Sequence, residues 1–226
     1  MRNALIIGSN GTIGRALVKY LQQDFSVNQL SRENCDFTDE SLANHAIQFS
    51  AIGRFDIVIC CIGVLHDEVV SPEKRITQID QNRLMQYYRV NAVLPALCLK
   101  HFTPLLRPNS SDAELAKFVV LSAMVGSIED NKLGGWYGYR SSKAALNMLV
   151  KTAAIEIARS NKHAVLVAMH PGTTVGPLSQ PFAGGVSKSN YYSPNQSARR
   201  IIDVVKSLKI NSNGRFLNWD GEPIPW

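Results

Sequence analysis

Tyr139 and Lys143 stand four residues apart in the run Tyr139-Arg-Ser-Ser-Lys143, near the start of an apolar stretch that reads as a helix through Ala158. At that spacing both side chains share one helical face, so a lysine ammonium can lie beside a phenol and favour its deprotonation. The pair could then serve as an acid or a base. Tyrosine and lysine at this spacing also mark ordinary solvated helix faces, so the meaning of the pair rests on what the rest of the chain places around it.

Short apolar runs alternate with helical patterns along the chain. Ala4 to Ile7 is a strand closed by Gly8, and Thr12 to Leu21 carries Ile13, Leu17 and Leu21 at helical spacing. A second strand is expected at Ser26 to Leu30, followed by a helix to about Ser50 that Thr38 or Asp39 would cap. Asp56 to Ile62 is near-continuously apolar, as a strand buried on both faces should be. Asp80 to about Leu106 reads as one helix with Pro95 as a kink inside it and Pro104 near its end. Lys117 to Leu121 and Ala164 to Met169 are further strands, Asn195 to Leu208 a further helix, and Gly214 to Trp219 a final edge strand. Strands alternating with helices imply a doubly wound parallel sheet of about seven strands, covered by helices on both faces.

Gly8-Ser-Asn-Gly11-Thr-Ile-Gly14 closes the first strand and opens the first helix, the context in which a glycine motif means dinucleotide binding. Glycines permit the tight turn and a close approach of backbone to pyrophosphate, while the helix N-terminus offers unpaired amides and a positive partial charge. Gly8, Asn10, Gly11, Thr12, Ile13 and Gly14 are therefore candidate cofactor contacts. An NAD site would place an acidic residue about 20 positions on to hold the ribose 2'-hydroxyl. This chain has Leu30-Ser31-Arg32 there, so Ser31 and Arg32 favour a 2'-phosphate and NADP(H), with Glu33 next door leaving NAD(H) open.

The 226 residues, 45% of them apolar, suit one domain spanning residues 1–226. The net charge of +6 is scattered rather than gathered into a stripe, which argues against nucleic acid and is compatible with a polyphosphate cofactor. Cys35, Cys60, Cys61 and Cys98 lack metal-ligand spacing and read as core thiols, and no metal is expected. With no cleavable signal and no apolar segment of membrane-spanning length, a cytoplasmic protein without a membrane partner is expected. Trp136, Tyr137, Phe182, Tyr191 and Tyr192 are candidates for an apolar substrate pocket, covered by a glycine- and proline-rich loop from Thr173 to Ser193. His66 and His170 follow strand ends without an evident carboxylate partner and are not assigned to the chemistry.

The glycine turn, the strand into Cys60-Cys-Ile-Gly63, Asn91 in a long helix, Ser122 after a strand and Tyr139-x-x-x-Lys143 together resemble the short-chain dehydrogenase/reductase family, from about Ala4 to the end. Within it, Gly63-Val-Leu-His66, the run from Gly134 to Leu146 and the terminal Trp219 to Trp226 resemble the small C-factor branch. The resemblance implies a Rossmann-type fold and reduction of a carbonyl, or oxidation of an alcohol, by hydride transfer from or to NAD(P). It implies Tyr139 as acid/base, Lys143 as its electrostatic partner and ribose ligand, Asn91 as anchor of a helix irregularity and proton relay, and Ser122 as the carbonyl-orienting hydroxyl. Asp36 would lie near the adenine, Cys61 and Gly63 along the nucleotide, and Pro171, Gly172 and Thr173 beside the nicotinamide. A homodimer or homotetramer through the Asp80 and Trp136 helices is expected in the manner of the family.

Departures from the family pattern qualify that reading. Aligned on Gly126, the active serine's place falls on Ala123, so the carbonyl could be oriented by Ser122, by Ser127 or by no hydroxyl. Losing one such bond can cost a few kcal/mol of transition-state stabilisation. The alternative is a nucleotide-binding signalling or sensor protein on the same scaffold with little or no turnover.

Overall fold

The computed structural model describes residues 2–106, 115–185 and 191–226. Strand β1 (Asn3–Ile7) leads through helix α1 (Thr12–Leu21) to β2 (Ser26–Leu30), and helix α2 (Asp39–Ile52) then carries the chain to β3 (Ile57–Cys60) on the other side of β1. Helices α3 (Gln81–Tyr88) and α4 (Leu94–Phe102) precede β4 (Ala116–Leu121), α5 (Tyr137–Ser160) precedes β5 (Ala164–Met169), and the pair β6 (Thr173–Thr174) and β7 (Tyr191–Tyr192) precedes α6 (Pro194–Ser207) and β8 (Phe216–Leu217). The main sheet is parallel in the order β2-β1-β3-β4-β5-β8.

The apolar runs are continuous because both sheet faces are covered. Leu5, Val58, Phe118 and Leu166 point to the side packed by α2, α4 and α5, while Ile6, Ile59, Val119 and Val167 point to the side packed by α1 and α6. Successive side chains alternate between faces, so a strand buried on both can contain no polar period. Burying each such side chain contributes about 1.5–3 kcal/mol, which fixes the register.

The sheet differs from the expected count: among the described residues it has six strands, not about seven. The six are the apolar runs named from the sequence, and after β2 the chain turns into the expected helix. Asn34 and Cys35 both donate backbone bonds to the Ser31 carbonyl, Phe37 is left-handed at φ 59°, and the Thr38 hydroxyl then caps α2 by accepting from Ser41 N at 3.2 Å. This leaves β2 as the sheet edge.

The long helix expected from Asp80 is also divided differently. The irregularity lies at Arg89–Val93, a π turn containing Asn91, and Pro95, which lacks an N–H, follows where that turn runs into α4. The Thr173 to Ser193 loop is partly structured by the β6–β7 pair and a 3-10 segment at Gln180–Gly185, and its residues 186–190 lie outside the described residues. No helix among the described residues is long and apolar enough to cross a membrane, and none of their His, Cys, Asp and Glu side chains cluster in a way that could hold a metal.

His170, just past the end of β5, donates its backbone N–H to Leu217 O at 2.8 Å, and its buried Nδ1 has no partner among the described residues. Burial pulls the imidazole pKa down to about 4, with Asp220 acting weakly the other way. Between pH 6.5 and about 4 the unfolded chain therefore binds a proton that the folded one refuses, and stability is lost as pH falls through that window. Urea midpoints measured across it are expected to fall less steeply in His170→Gln than in the parent; equal slopes would show that His170 is not held neutral.

Candidate active site

Right-handed crossovers bring the C-terminal ends of all the parallel strands to one sheet edge, and the chain reverses winding direction between β1 and β3. A crevice opens at such a point, and ligands bind there in open α/β sheets. Gly8, Cys61 and Gly63 line it. Gly8 is left-handed at φ 80°, and a Cβ on it would lie 3.2 Å from the Cys61 carbonyl carbon. On Gly14 a Cβ would collide with the Gly8 carbonyl and lie 2.9 Å from Ser9 Cα, so α1 can start this close to β1 only with glycine there. Gly11 caps α1 without a side-chain bond, which leaves the first-turn amides, from Thr12 and Ile13 onward, free for an anion. Asn10 is half-buried beside them. A flat, negatively charged nucleotide fits this cradle.

Asn91 is fully buried in the π turn. Its Oδ1 accepts from Val64 N at 2.8 Å, and its Nδ2 donates to Val64 O at 2.9 Å and to Ser142 Oγ at 3.1 Å. The π turn lets the side chain reach the loop after β3 while α5 lies against it. Lys143 is buried one helical turn beyond Tyr139, with its Nζ donating to Leu121 O at 3.0 Å. A Cβ on Gly63 would stand 3.2 Å from that Nζ and 3.5 Å from Asn91 Oδ1. Gly63, Asn91 and Lys143 thus meet at the mouth of the crevice. Burial pulls the Lys143 pKa down to about 8, the adjacent Cys60 thiol opposing the shift.

Tyr139 is 7% exposed, and its hydroxyl has no hydrogen-bond partner among the described residues. Its ring meets Tyr87 and Trp136 edge-on, each at 6.2 Å between centroids, and Leu65, Val70 and Ala123 complete an apolar cluster. Burial pushes the phenol pKa up. This reverses the expectation that Lys143 would pull it down: the ammonium is turned toward the Leu121 carbonyl, and its charge does not offset the loss of water around the phenol. Phe182 packs on Trp136 at 5.0 Å and His66 on Phe182 at 5.6 Å, closing the niche from the loop side.

Ser122 is not brought to Tyr139. Its buried hydroxyl donates to Asn147 Oδ1 at 2.6 Å, away from the aromatic cluster, and Ala123 takes the neighbouring place inside that cluster. Ser127 accepts from Asp130 N at 3.1 Å and reaches the Trp226 carbonyl at 3.4 Å. Among the described residues neither serine hydroxyl is hydrogen-bonded to Tyr139.

The remaining candidates divide in the same way. Ser31 is buried at the β2 end, with its N–H on Asn34 Oδ1 at 2.8 Å, while Arg32 is exposed and makes no ion pair among the described residues. Asp36 is exposed; its Oδ1 takes the N–H and the hydroxyl of Thr38, both at 2.9 Å, and these bonds lower its pKa. It is built as a turn residue. Pro171 and left-handed Gly172 (φ 76°) follow β5, and Gly172 packs against Trp219 and Tyr192. The Arg200 guanidinium lies between those two rings, 3.8 Å from Tyr192 and 3.3 Å from Trp219. Thr173 pairs with Tyr191, and the loop beyond returns to α1, where a Cβ on Gly176 would sit 2.9 Å from Thr12 Oγ1.

Three residues unmarked by any sequence motif complete the site. Asn147 holds the Ser122 hydroxyl. Tyr87 is fully buried, donates to Leu65 O at 2.6 Å and backs Tyr139; burial and then the nearby Glu73 raise its pKa. Glu73 itself is 3% exposed beneath the start of α5.

Comparison with known proteins agrees with this geometry. Residues 5–206 match the sequence profile described as enoyl-(acyl carrier protein) reductase. The chain is 30% identical over 191 residues, 84% of its length and 76% of the other's, to the 1-hydroxy-2-glutathionyl-2-methyl-3-butene dehydrogenase of a Rhodococcus species. It is 28% identical over 148 residues, 66% of its length and 81% of the other's, to the C-signal of Myxococcus xanthus. Its fold superposes on the NADPH-bound carbonyl reductase from chicken fatty liver with a TM-score of 0.80 at 21% identity, covering 100% of this chain and 94% of that one. The profile match and the Rhodococcus relative carry the assignment: the chain belongs to the short-chain dehydrogenase/reductase family and is an oxidoreductase of that family.

Proposed function

We propose that this protein is an NADP(H)-preferring oxidoreductase that reduces a small-molecule carbonyl or oxidises the corresponding alcohol, with Tyr139 exchanging the proton. The observation that carries the reading is the unbonded Tyr139 hydroxyl in an apolar niche, one helical turn from a lysine buried against Gly63 at the crevice. A bound nicotinamide would supply or take the hydride. Gly8, Gly11 and Gly14 would admit its pyrophosphate, Lys143 would hold its ribose, and Asn91 would keep the loop at Gly63 and Val64 in place. Burial keeps the phenol in its protonated form, the form that donates to a carbonyl oxygen in the reducing direction. Support for NADP comes from Arg32, an uncompensated cation at the end of β2, and from the NADPH named in the chicken-liver structure.

Ser122, bonded to Asn147, and Ala123, beside Tyr139, favour a second reading. Without a serine to orient the carbonyl, the scaffold would bind nucleotide and turn over slowly, as a sensor or signalling protein. The likeness to a protein named C-signal is consistent with this. We also propose a homodimer, because α3, the π turn and α5 leave Met85, Val93, Met148 and Ile155 exposed.

Three measurements test these readings. Consumption of NADPH with a panel of aldehydes, ketones and quinones is expected to fall about a hundredfold or more in Tyr139→Phe, with NADPH affinity nearly unchanged. If the parent binds NADPH but reduces none of the panel, the sensor reading gains. Arg32→Ala is expected to weaken NADPH binding about tenfold while leaving NADH binding within about twofold, and equal losses would refute the NADP preference. Light scattering at micromolar concentration should give twice the chain mass of 25.0 kDa, and a monomer would overturn the dimer.

A further inference from the structure

Glu73 lies in the loop between β3 and α3, where a carboxylate would ordinarily be solvated, yet it is 3% exposed. Both of its polar ends reach the segment that begins α5. Its Oε2 accepts from Gly138 N at 3.1 Å, and its backbone carbonyl accepts from Trp136 N at 2.5 Å. Its Oε1 is buried without a partner among the described residues, tucked where a Cβ on Gly138 would stand 3.1 Å from it.

What Glu73 holds is a segment that local conformation disfavours. Gly134, Gly135 and Trp136 are consecutive left-handed residues with φ of 63°, 67° and 53°, and Trp136 is the N-cap of α5 without a side-chain capping bond. A bulky residue keeps a left-handed backbone only where its surroundings impose it. The helix N-terminus also leaves amides that need an acceptor and favours negative charge beside them. Glu73 meets both needs from a distant part of the sequence. The residue after Gly138 is Tyr139, and the Trp136 ring packs on Tyr139 at 6.2 Å.

We propose that Glu73 is a positioning residue for Tyr139: it caps α5 in place of a local side chain and so fixes where the Tyr139 phenol and its Trp136 wall stand. The inference rests on Tyr139 as the proton-transfer group. Shortening or removing the Glu73 side chain frees the Gly138 N–H and loosens the first turn of α5, so the Tyr139 ring and the Trp136 ring packed on it shift, while the main-chain bond from Trp136 N to the residue-73 carbonyl remains. Because displacement of a reacting group by about 1 Å can cost on the order of a hundredfold in rate, the effect should be visible in turnover as well as in structure.

The test uses the full chain carrying ring-labelled tyrosine and tryptophan, observed by NMR without substrate. Tyr139→Phe and Trp136→Phe identify the two resonances, and Tyr20 on α1 is the internal control. In Glu73→Ala the Tyr139 and Trp136 resonances are expected to move while Tyr20 stays. Glu73→Gln, which keeps an oxygen acceptor for the Gly138 N–H, is expected to leave all three near their parental positions. Glu73→Asp, one methylene too short to reach, should behave as alanine does and serves should the alanine variant not fold. With the best carbonyl from the panel, kcat is expected to drop about tenfold in the alanine or aspartate variant and to recover in the glutamine variant, with KM for NADPH unchanged throughout. Unmoved Tyr139 and Trp136 resonances in the alanine or aspartate variant, or a glutamine variant that shifts as alanine does, would overturn the proposal. A merely structural role would lower the melting temperature without moving those resonances below it. If Tyr139→Phe retains turnover, the proton-transfer reading fails, while the resonances still decide whether Glu73 positions the ring.

Discussion

The Asn91 side chain bonds both the N–H and the carbonyl of Val64 and reaches Ser142 on α5. It does so from inside the fold, where an amide left unbonded would cost several kcal/mol, so its partners are strongly specified. Through it the loop after β3, the π turn and the face of α5 carrying Lys143 become one rigid unit. Gly63 then lies against Lys143 Nζ, and Lys143 in turn fills the floor between β3 and β4 by bonding the Leu121 carbonyl. Move Asn91 and none of these distances survives.

The π turn is the backbone cost of that arrangement. A regular helix from 81 to 102 would set the Pro95 ring against the Asn91 carbonyl, a clash that a widened turn relieves. One widened turn re-aims the residues after it, which is a recurrent way for functional sites to obtain a direction that regular geometry refuses. Its composition, Arg89-Val-Asn-Ala-Val93, is ordinary for a helix, so nothing local in the sequence marks it. The one nearby sign is Pro95, four residues after Asn91.

Other features were legible because they are local. The apolar strands, the Thr38 cap and the glycine turn each follow from residue type and spacing within a few positions. The resemblance to a family added the identities of Asn91, Tyr139 and Lys143. What could not be read depends on contacts distant in sequence. The direction of the Ser122 hydroxyl is decided by Asn147, and the titration of Tyr139 by burial under Trp136 and Tyr87. Glu73 is the clearest case. Nothing in Pro72-Glu-Lys74 announces a buried carboxylate, and its significance exists only once α5 is beside it.

The stack of Tyr192, Arg200 and Trp219 has a consequence for how such a protein can diversify. With Thr173 paired to Tyr191 and Tyr192 clamped by the guanidinium, the two feet of the loop over the niche are tied to β5, β8 and α6 independently of what lies between them. Two contacts still couple the intervening stretch to the rest of the site, Gly176 against Thr12 and Phe182 against Trp136, so a substitution that spares them alters the roof of the niche alone. Within those limits the chain separates a fixed chemical floor from a variable ceiling, where loop substitutions can change what the niche admits.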